Sequence, residues 1–324
     1  MSIRQIKVAV IGCGAIGSLY AAHLARLPDV EVWAVDPWRD HMEAIERDGL
    51  TVTGAAEFTV TLHARSDASV LPSCDFGIVA TKAVHTAKAM KAASHALVDA
   101  AVVSVQNGLG NEEVIAGYLP QVIRGSIVTA GTVTMPGTVR YDAPGDTYLG
   151  PFEPSPADLA SIATLADMLT RSGLEAHALS DARGPQWTKV AFNAATSPLS
   201  ALTGLTVGQV CTNPELRTQV DRLVAEALAV CAAQGIRLTR TPAESIREAI
   251  DEAFWHKPSM LQDVNARRPT EIDVINGGIA SEGRRVGVPT LLHDAMVSLV
   301  HGLESSWDAR PAGTRVAVDS VPGC

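Results

Sequence analysis

Residues 6–17 read IKVAVIGCGAIG, and the rest of the chain is best read outward from them. An apolar, β-branched run stops at Gly12. Gly12, Gly14 and Gly17 then follow with G-x-G-x-x-G spacing, and residues 18–27 are apolar with helical periodicity. The order is strand, tight turn, amphipathic helix. Each glycine has its own task in such a turn. Gly12 permits the reversal, Gly14 lets a pyrophosphate come against the backbone, and Gly17 brings the helix close to the strand. Phosphate oxygens then meet free N–H groups at a helix N-terminus. Glycine-rich turns have other uses, but this setting favours a dinucleotide held by Gly12, Cys13, Gly14, Ala15, Ile16 and Gly17.

A second strand over 30–35 ends at Asp36, about 20 residues beyond the turn, where a carboxylate can accept hydrogen bonds from an adenosine ribose. The same carboxylate repels a 2′-phosphate: a unit-charge pair at ~4 Å with an effective dielectric of ~20 is worth ~4 kcal/mol before screening. Asp36 therefore favours NAD(H) over NADP(H). Arg39 is the residue that could hold a 2′-phosphate instead, and an Asp after a strand also serves as a plain helix cap.

Further along, residues 51–65 alternate and are broken by Gly54, which predicts two short antiparallel strands. Residues 76–80 form a short buried strand with Thr81 and Lys82 at its end, and residues 101–105 another, ending in Gln106-Asn107-Gly108. Ligands of open α/β sheets bind at that edge, so Lys82 and Asn107 are candidate cofactor or substrate contacts. Against this, loop lysines are commonly solvated and Asn-Gly commonly makes a turn. Two β-rich segments, 122–133 and 138–149, flank the turn Met135-Pro136-Gly137. Ser155-Pro156-Ala157-Asp158 has capping-box spacing and predicts a helix to about Ser172. A last strand is expected over 175–179.

After Asp181 the periodicity becomes helical, which divides the chain into an α/β unit, 1–182, and an all-α unit, 183–324. Asn213-Pro214 starts a helix with Leu216, Val220, Leu223, Val224 and Leu228 on one face, and Thr241-Pro242-Ala243-Glu244 is a capping box. Pro289-Thr290 opens a final helix to about Glu304, and the remainder reads as a loose tail. In WTKVAFNAATSP, residues 187–198, Lys189, Asn193 and Ser197 fall at i, i+4 and i+8 on one helical stripe amid apolar residues. A second polar cluster, residues 257–273, holds Ser259, Asp263, Arg267, Arg268 and Glu271.

Size and charge narrow the classes. A chain of 324 residues exceeds one usual core, and 47% hydrophobic content can fill two. Lys plus Arg total 26 against 35 Asp plus Glu, a net charge of −9, which makes nucleic acid and anionic membrane poor partners. No stretch approaches the ~18 uninterrupted apolar residues of a membrane span. The five cysteines lack any metal-type spacing and read as reduced, cytoplasmic thiols.

Taken together, GCGAIG, Lys82, QNG at 106–108, the PG turn at 136–137, the WxKxxxN pattern at 187–193, and SMLQD followed by RRPTEID resemble the ketopantoate reductase (2-dehydropantoate 2-reductase) family over nearly the whole chain. The resemblance implies a Rossmann domain, an all-helical C-terminal domain, and an active site between them that reduces ketopantoate to (R)-pantoate, usually with NADPH. It further implies Lys189 as the proton donor and Glu271 as an acid that positions the substrate and that lysine. Asn107, Asn193 and Ser259 are implied around substrate and nicotinamide, with Lys82 near the cofactor. Two departures stand out: Ser197 replaces a second helix asparagine that typically holds the substrate's hydroxyl, and Asp36 stands where NADPH users commonly carry a basic residue. Both keep open an NAD-dependent D-2-hydroxyacid dehydrogenase on the same scaffold. A non-catalytic NAD-binding sensor would need the glycine turn but not the proton donor. The partner expected is a small 2-oxo acid, with a homodimer the assembly to test.

Overall fold

Strand β1 (Ile6–Ile11) lies inside an eight-stranded sheet, and its alternation explains the layers on both faces. Val8 and Val10 join one apolar cluster, while Ala9 and Ile11 join another on the opposite side, as a period of two requires. With both faces covered, the strand reads as the continuous apolar run of a buried parallel sheet. The computed structural model describes residues 4–308 of the chain. The tail beyond Asp308, with Cys324, lies outside the described residues.

Helix α1 (Ala15–Leu24) follows the glycine turn, then β2 (Val30–Val35) and α2 (Arg39–Asp48). Next come β3 (Leu50–Gly54), β4 (Phe58–Val60), β5 (His63–Arg65), β6 (Phe76–Val79), α3 (Thr86–Ala93), β7 (Ala101–Ser104) and α4 (Asn111–Ala116). Strands β8 (Val122–Ile127), β9 (Ala130–Met135), β10 (Thr138–Ala143) and β11 (Thr147–Pro151), helix α5 (Leu159–Ser172) and β12 (Ala176–Ala178) complete this half. The main sheet runs β12-β11-β8-β7-β6-β1-β2-β5, parallel throughout except where β11 meets β8. Chain order reverses between β1 and β6, so the loops after them share the ligand-binding edge.

A second sheet, β4-β3-β10-β9, lies against α1. For that reason α1 is buried from Gly17 to Leu24 rather than amphipathic, and its polar side chains need internal partners. Ser18 Oγ donates to Cys13 O at 3.0 Å, and His23 Nδ1 lies 2.9 Å from Ser172 O. The two antiparallel strands expected over 51–65 are β3 and β4; the third, β5, leaves them to extend the main sheet beside β2. The cap of α5 corrects the expected capping box. Asp158, not Ser155, accepts from Ser161 N at 2.7 Å, because the Ser155 carbonyl is taken by Val122 N at 2.7 Å.

From α6 (Arg183–Thr203) onward every described α-helix or strand is a helix: α7 (Val207–Thr212), α8 (Pro214–Ala233), α9 (Pro242–Asp251), α10 (Ser259–Asn265), α11 (Ile272–Val286) and α12 (Leu291–Ser305). Helix α6 packs against α8, α10 and α12 and carries Pro198 in its interior. Proline has no N–H, so the Ala194 carbonyl one turn earlier loses its helical donor. Asn276 Nδ2 supplies the replacement at 2.9 Å. On α8 the buried face is Val220, Leu223, Val224, Ala227, Val230 and Cys231; Leu228, expected there, is 37% exposed because the stripe turns past it. The box at Thr241 and Glu244 forms as spelled. Among the described residues no helix is long and apolar enough to cross a membrane.

Candidate active site

The glycine turn shows why each of its glycines is there. Gly12 has φ of +94°, and a Cβ on it would fall 2.6 Å from Thr81 N, so the loops after β1 and β6 touch. A Cβ on Gly17 would sit 1.8 Å from Gly12 O. At Gly14 a Cβ would meet nothing within 4 Å. The fold itself does not need that glycine, and the open space over the first turn of α1 suits a group that must reach the backbone. Cys13 contributes backbone only. Burial, followed by the nearby Asp36 carboxylate, pushes its thiol well above the ordinary range.

Asp36 is tied into the turn: Oδ2 accepts from Cys13 N at 2.8 Å and Oδ1 from Trp38 N at 2.8 Å. It is thus both a cap for the β2–α2 corner and an acceptor beside the phosphate turn. Arg39 is exposed at the start of α2.

Between the two halves lies a row of charged and amide side chains. Lys82 Nζ, after β6, is 2.7 Å from Asp263 Oδ2 on α10 and 3.4 Å from Glu271 Oε2 at the head of α11. Arg268 Nη2 holds the other oxygen of the buried Asp263 at 3.2 Å. Glu271 Oε1 accepts from Ala83 N at 3.3 Å, and Oε2 accepts from Asn107 Nδ2 at 3.1 Å. Asn107 in turn accepts, through Oδ1, from Lys189 Nζ at 2.9 Å. Burial tends to neutralise Lys82, but Glu271 and Asp263 outweigh it and raise its pKa.

Lys189 behaves differently. Burial pushes its pKa down to about 8, with Glu271 acting against the shift. A nearby carboxylate would ordinarily hold a lysine at or above its usual value, and here it does not. Glu271 pairs directly with Lys82 and reaches Lys189 only through Asn107, too indirectly to offset desolvation.

A cavity opens beside Lys189, lined among others by Asn107, Ser126, Gln186, Lys189, Asn193 and Ile275. Of the helical stripe, Lys189 and Asn193 reach it, whereas Ser197 is buried two turns along α6 and is not among the lining residues. The stripe drifts, since i and i+8 differ by ~80° at ~3.6 residues per turn. It extends backwards instead to Gln186, whose Nε2 donates to the buried Glu112 Oε1 at 2.7 Å and whose Oε1 accepts from Arg124. Ser259 is exposed in the first turn of α10, one turn before Asp263 on the same face. Sequence reasoning left Asp263, Gln186 and Ser126 without a role. Asp263 was signalled by lying one turn after Ser259 and Gln186 by preceding the WxKxxxN pattern; Ser126 had no signal.

Two family profiles match the chain: "Ketopantoate reductase PanE/ApbA" over residues 8–154 and "Ketopantoate reductase PanE/ApbA C terminal" over residues 181–304. A 2-dehydropantoate 2-reductase of Archaeoglobus fulgidus is 32% identical over 305 residues, 94% of this chain and 99% of the relative. The crystal structure of a PanE/ApbA family ketopantoate reductase from Ralstonia eutropha JMP134 is 29% identical with a TM-score of 0.83, covering 94% of this chain and all of that one. D-mandelate dehydrogenase, solved with NADH and anilino(oxo)acetate, is 28% identical with a TM-score of 0.84 over 94% of this chain and all of that one. The chain belongs to the ketopantoate reductase family, oxidoreductases that act on a CH–OH group with a nicotinamide dinucleotide.

Proposed function

We propose that this chain reduces a 2-oxo acid to the 2-hydroxy acid, with 2-dehydropantoate (ketopantoate) giving (R)-pantoate the first substrate and NADH preferred over NADPH. The observation that carries the reading is the Lys189 ammonium, held by Asn107 at the edge of a cavity between the two halves.

The turn Gly12–Gly17 would hold the pyrophosphate, and the open side of Gly14 fits it. The nicotinamide, when bound, supplies hydride to the carbonyl carbon. What remains falls to the chain's own side chains. As the carbonyl oxygen gains negative charge, Lys189 stabilises it and delivers a proton, so hydride and proton together give the alcohol. A pKa of about 8 suits a group that must lose its proton and regain it near neutrality. Glu271 fixes the Asn107 amide so that its oxygen faces Lys189. Asn193 in the cavity and Ser259 on α10 are the groups proposed to receive the substrate's carboxylate and hydroxyl.

The cofactor preference rests on Asp36, which stands beside the turn and would repel a 2′-phosphate. A second reading, a D-2-hydroxyacid dehydrogenase with a substrate lacking ketopantoate's hydroxyl, is favoured by the likeness to D-mandelate dehydrogenase. The deciding experiment measures kcat/KM for a panel of 2-oxo acids with NADH and with NADPH. We expect ketopantoate to lead and NADH to exceed NADPH. Equal efficiency or an NADPH preference would overturn the role of Asp36 and implicate Arg39. An aryl or simple alkyl 2-oxo acid leading would establish the second reading.

A further inference from the structure

Trp38 carries no role in the preceding reading, yet it is 42% exposed and held in a fixed place beside the glycine turn. Its backbone N–H donates to Asp36 Oδ1, while the other oxygen of that carboxylate accepts from Cys13 N. Its indole stacks on the His41 imidazole, with centroids 4.8 Å apart and planes 17° from parallel. His41 is fully buried. Its Nδ1 accepts from Gly137 N at 3.0 Å, which leaves the ring proton on Nε2, 3.1 Å from Ser18 Oγ in the first turn of α1. Burial lowers the His41 pKa, so the ring beneath the indole is neutral. One face of Trp38 is thus backed by a ring anchored to α1 and to the second sheet, and the indole remains open to solvent.

We propose that Trp38 is the platform on which the adenine ring of the dinucleotide stacks. The proposal rests on the dinucleotide reading above. With pyrophosphate over Gly14 and a ribose on Asp36, the base must lie beyond the ribose, and the next chain there is Pro37-Trp38 at the β2–α2 corner. A flat aromatic surface recognises a purine through its π-face, and one already immobilised loses little rotamer freedom when the ligand arrives.

The test compares dissociation constants of NADH and of ADP-ribose, by calorimetry, for the parent protein and for Trp38→Ala, Trp38→Leu and Trp38→Phe, each checked by thermal melting. Base–aromatic stacking predicts that Trp38→Ala weakens both ligands by about 5- to 150-fold. Trp38→Phe should restore most of the loss and Trp38→Leu should not, because leucine covers His41 but offers no π-face. Tryptophan fluorescence of the parent should be quenched by ADP-ribose, with a smaller amplitude in Trp38→Phe. Unchanged binding in Trp38→Ala, or equal rescue by Leu and Phe, would overturn the assignment while leaving the dinucleotide reading intact. A parent that binds NADH, NADPH and ADP-ribose not at all would overturn both.

Discussion

Glu271→Gln isolates what the Glu271 charge does for Lys189. The substitution removes a negative charge but keeps an oxygen that Asn107 Nδ2, now 3.1 Å from Glu271, can still donate to. One amide separates the two charged groups, since Asn107 Oδ1 lies 2.9 Å from Lys189 Nζ. Charges ~6 Å apart at an effective dielectric of ~20 interact by ~3 kcal/mol, or roughly two pH units, and solvent in the half-open cleft reduces that to about one. As the proposed proton donor Lys189 must carry its proton, so activity should be present below its pKa and be lost as pH rises through it. In the parent that loss should fall at about pH 8, where burial sets the Lys189 pKa. In Glu271→Gln it should fall about one unit lower. The assay is kcat/KM for 2-oxo acid reduction across the neutral and alkaline range at saturating NADH, because kcat/KM reports the enzyme before the 2-oxo acid binds. A variant whose kcat/KM drops uniformly, with the alkaline limb unmoved, would show that Glu271 positions groups without tuning Lys189.

Three further outcomes follow from named contacts. Lys189→Ala should lower kcat by ~10² to 10⁴ while NADH binding, measured directly, stays nearly intact; retained turnover with every 2-oxo acid the parent reduces would remove the lysine from the chemistry. Gly14→Ala should fold with an unchanged Tm yet bind NADH more weakly, whereas Gly17→Ala, whose Cβ would sit 1.8 Å from Gly12 O, should lower Tm as well; the same Tm loss in both would contradict the assignment of separate tasks to the two glycines. Ser197 is buried away from the cavity lining, so Ser197→Asn should leave the kcat/KM ratio between ketopantoate and a 2-oxo acid without its hydroxyl unchanged while overpacking the helix lowers Tm. A shift of ~1 to 3 kcal/mol in that ratio would instead place this position in substrate recognition.

The α/β half was legible because its signals are local. An apolar run ending in spaced glycines has few other structures open to it, and the parallel strands repeat that pattern. What escaped were features set by the second sheet. Nothing within residues 15–24 tells that β9 and β10 cover the outer face of α1, so a helix with one apolar face was expected where a fully enclosed one stands. Likewise the spacing in 187–198 placed Lys189 and Asn193 on one stripe, but not how far that stripe stays at the cavity. The meeting of Lys82 with Asp263 joins residues 181 positions apart, and each reads alone as an ordinary surface charge. Electrostatic coupling of that kind is invisible until the fold supplies the distance.

The seam between the halves has a consequence for sequence drift. At the loop after β7, Leu109 N donates to Val274 O at 2.8 Å, and a Cβ on Gly108 would fall 2.4 Å from that same oxygen. The hydrogen bond runs between main-chain atoms and so forms whatever side chains stand at 109 and 274, and the approach is intolerant of any side chain at 108; the Leu109 side chain is held separately, in the core of the helical half. Grafting the helical half of a diverged relative onto this sheet therefore places its strictest demand on a backbone path rather than on a set of matching residues. Where that path is kept, the loop carries Asn107, two residues before Leu109, to Lys189 with it.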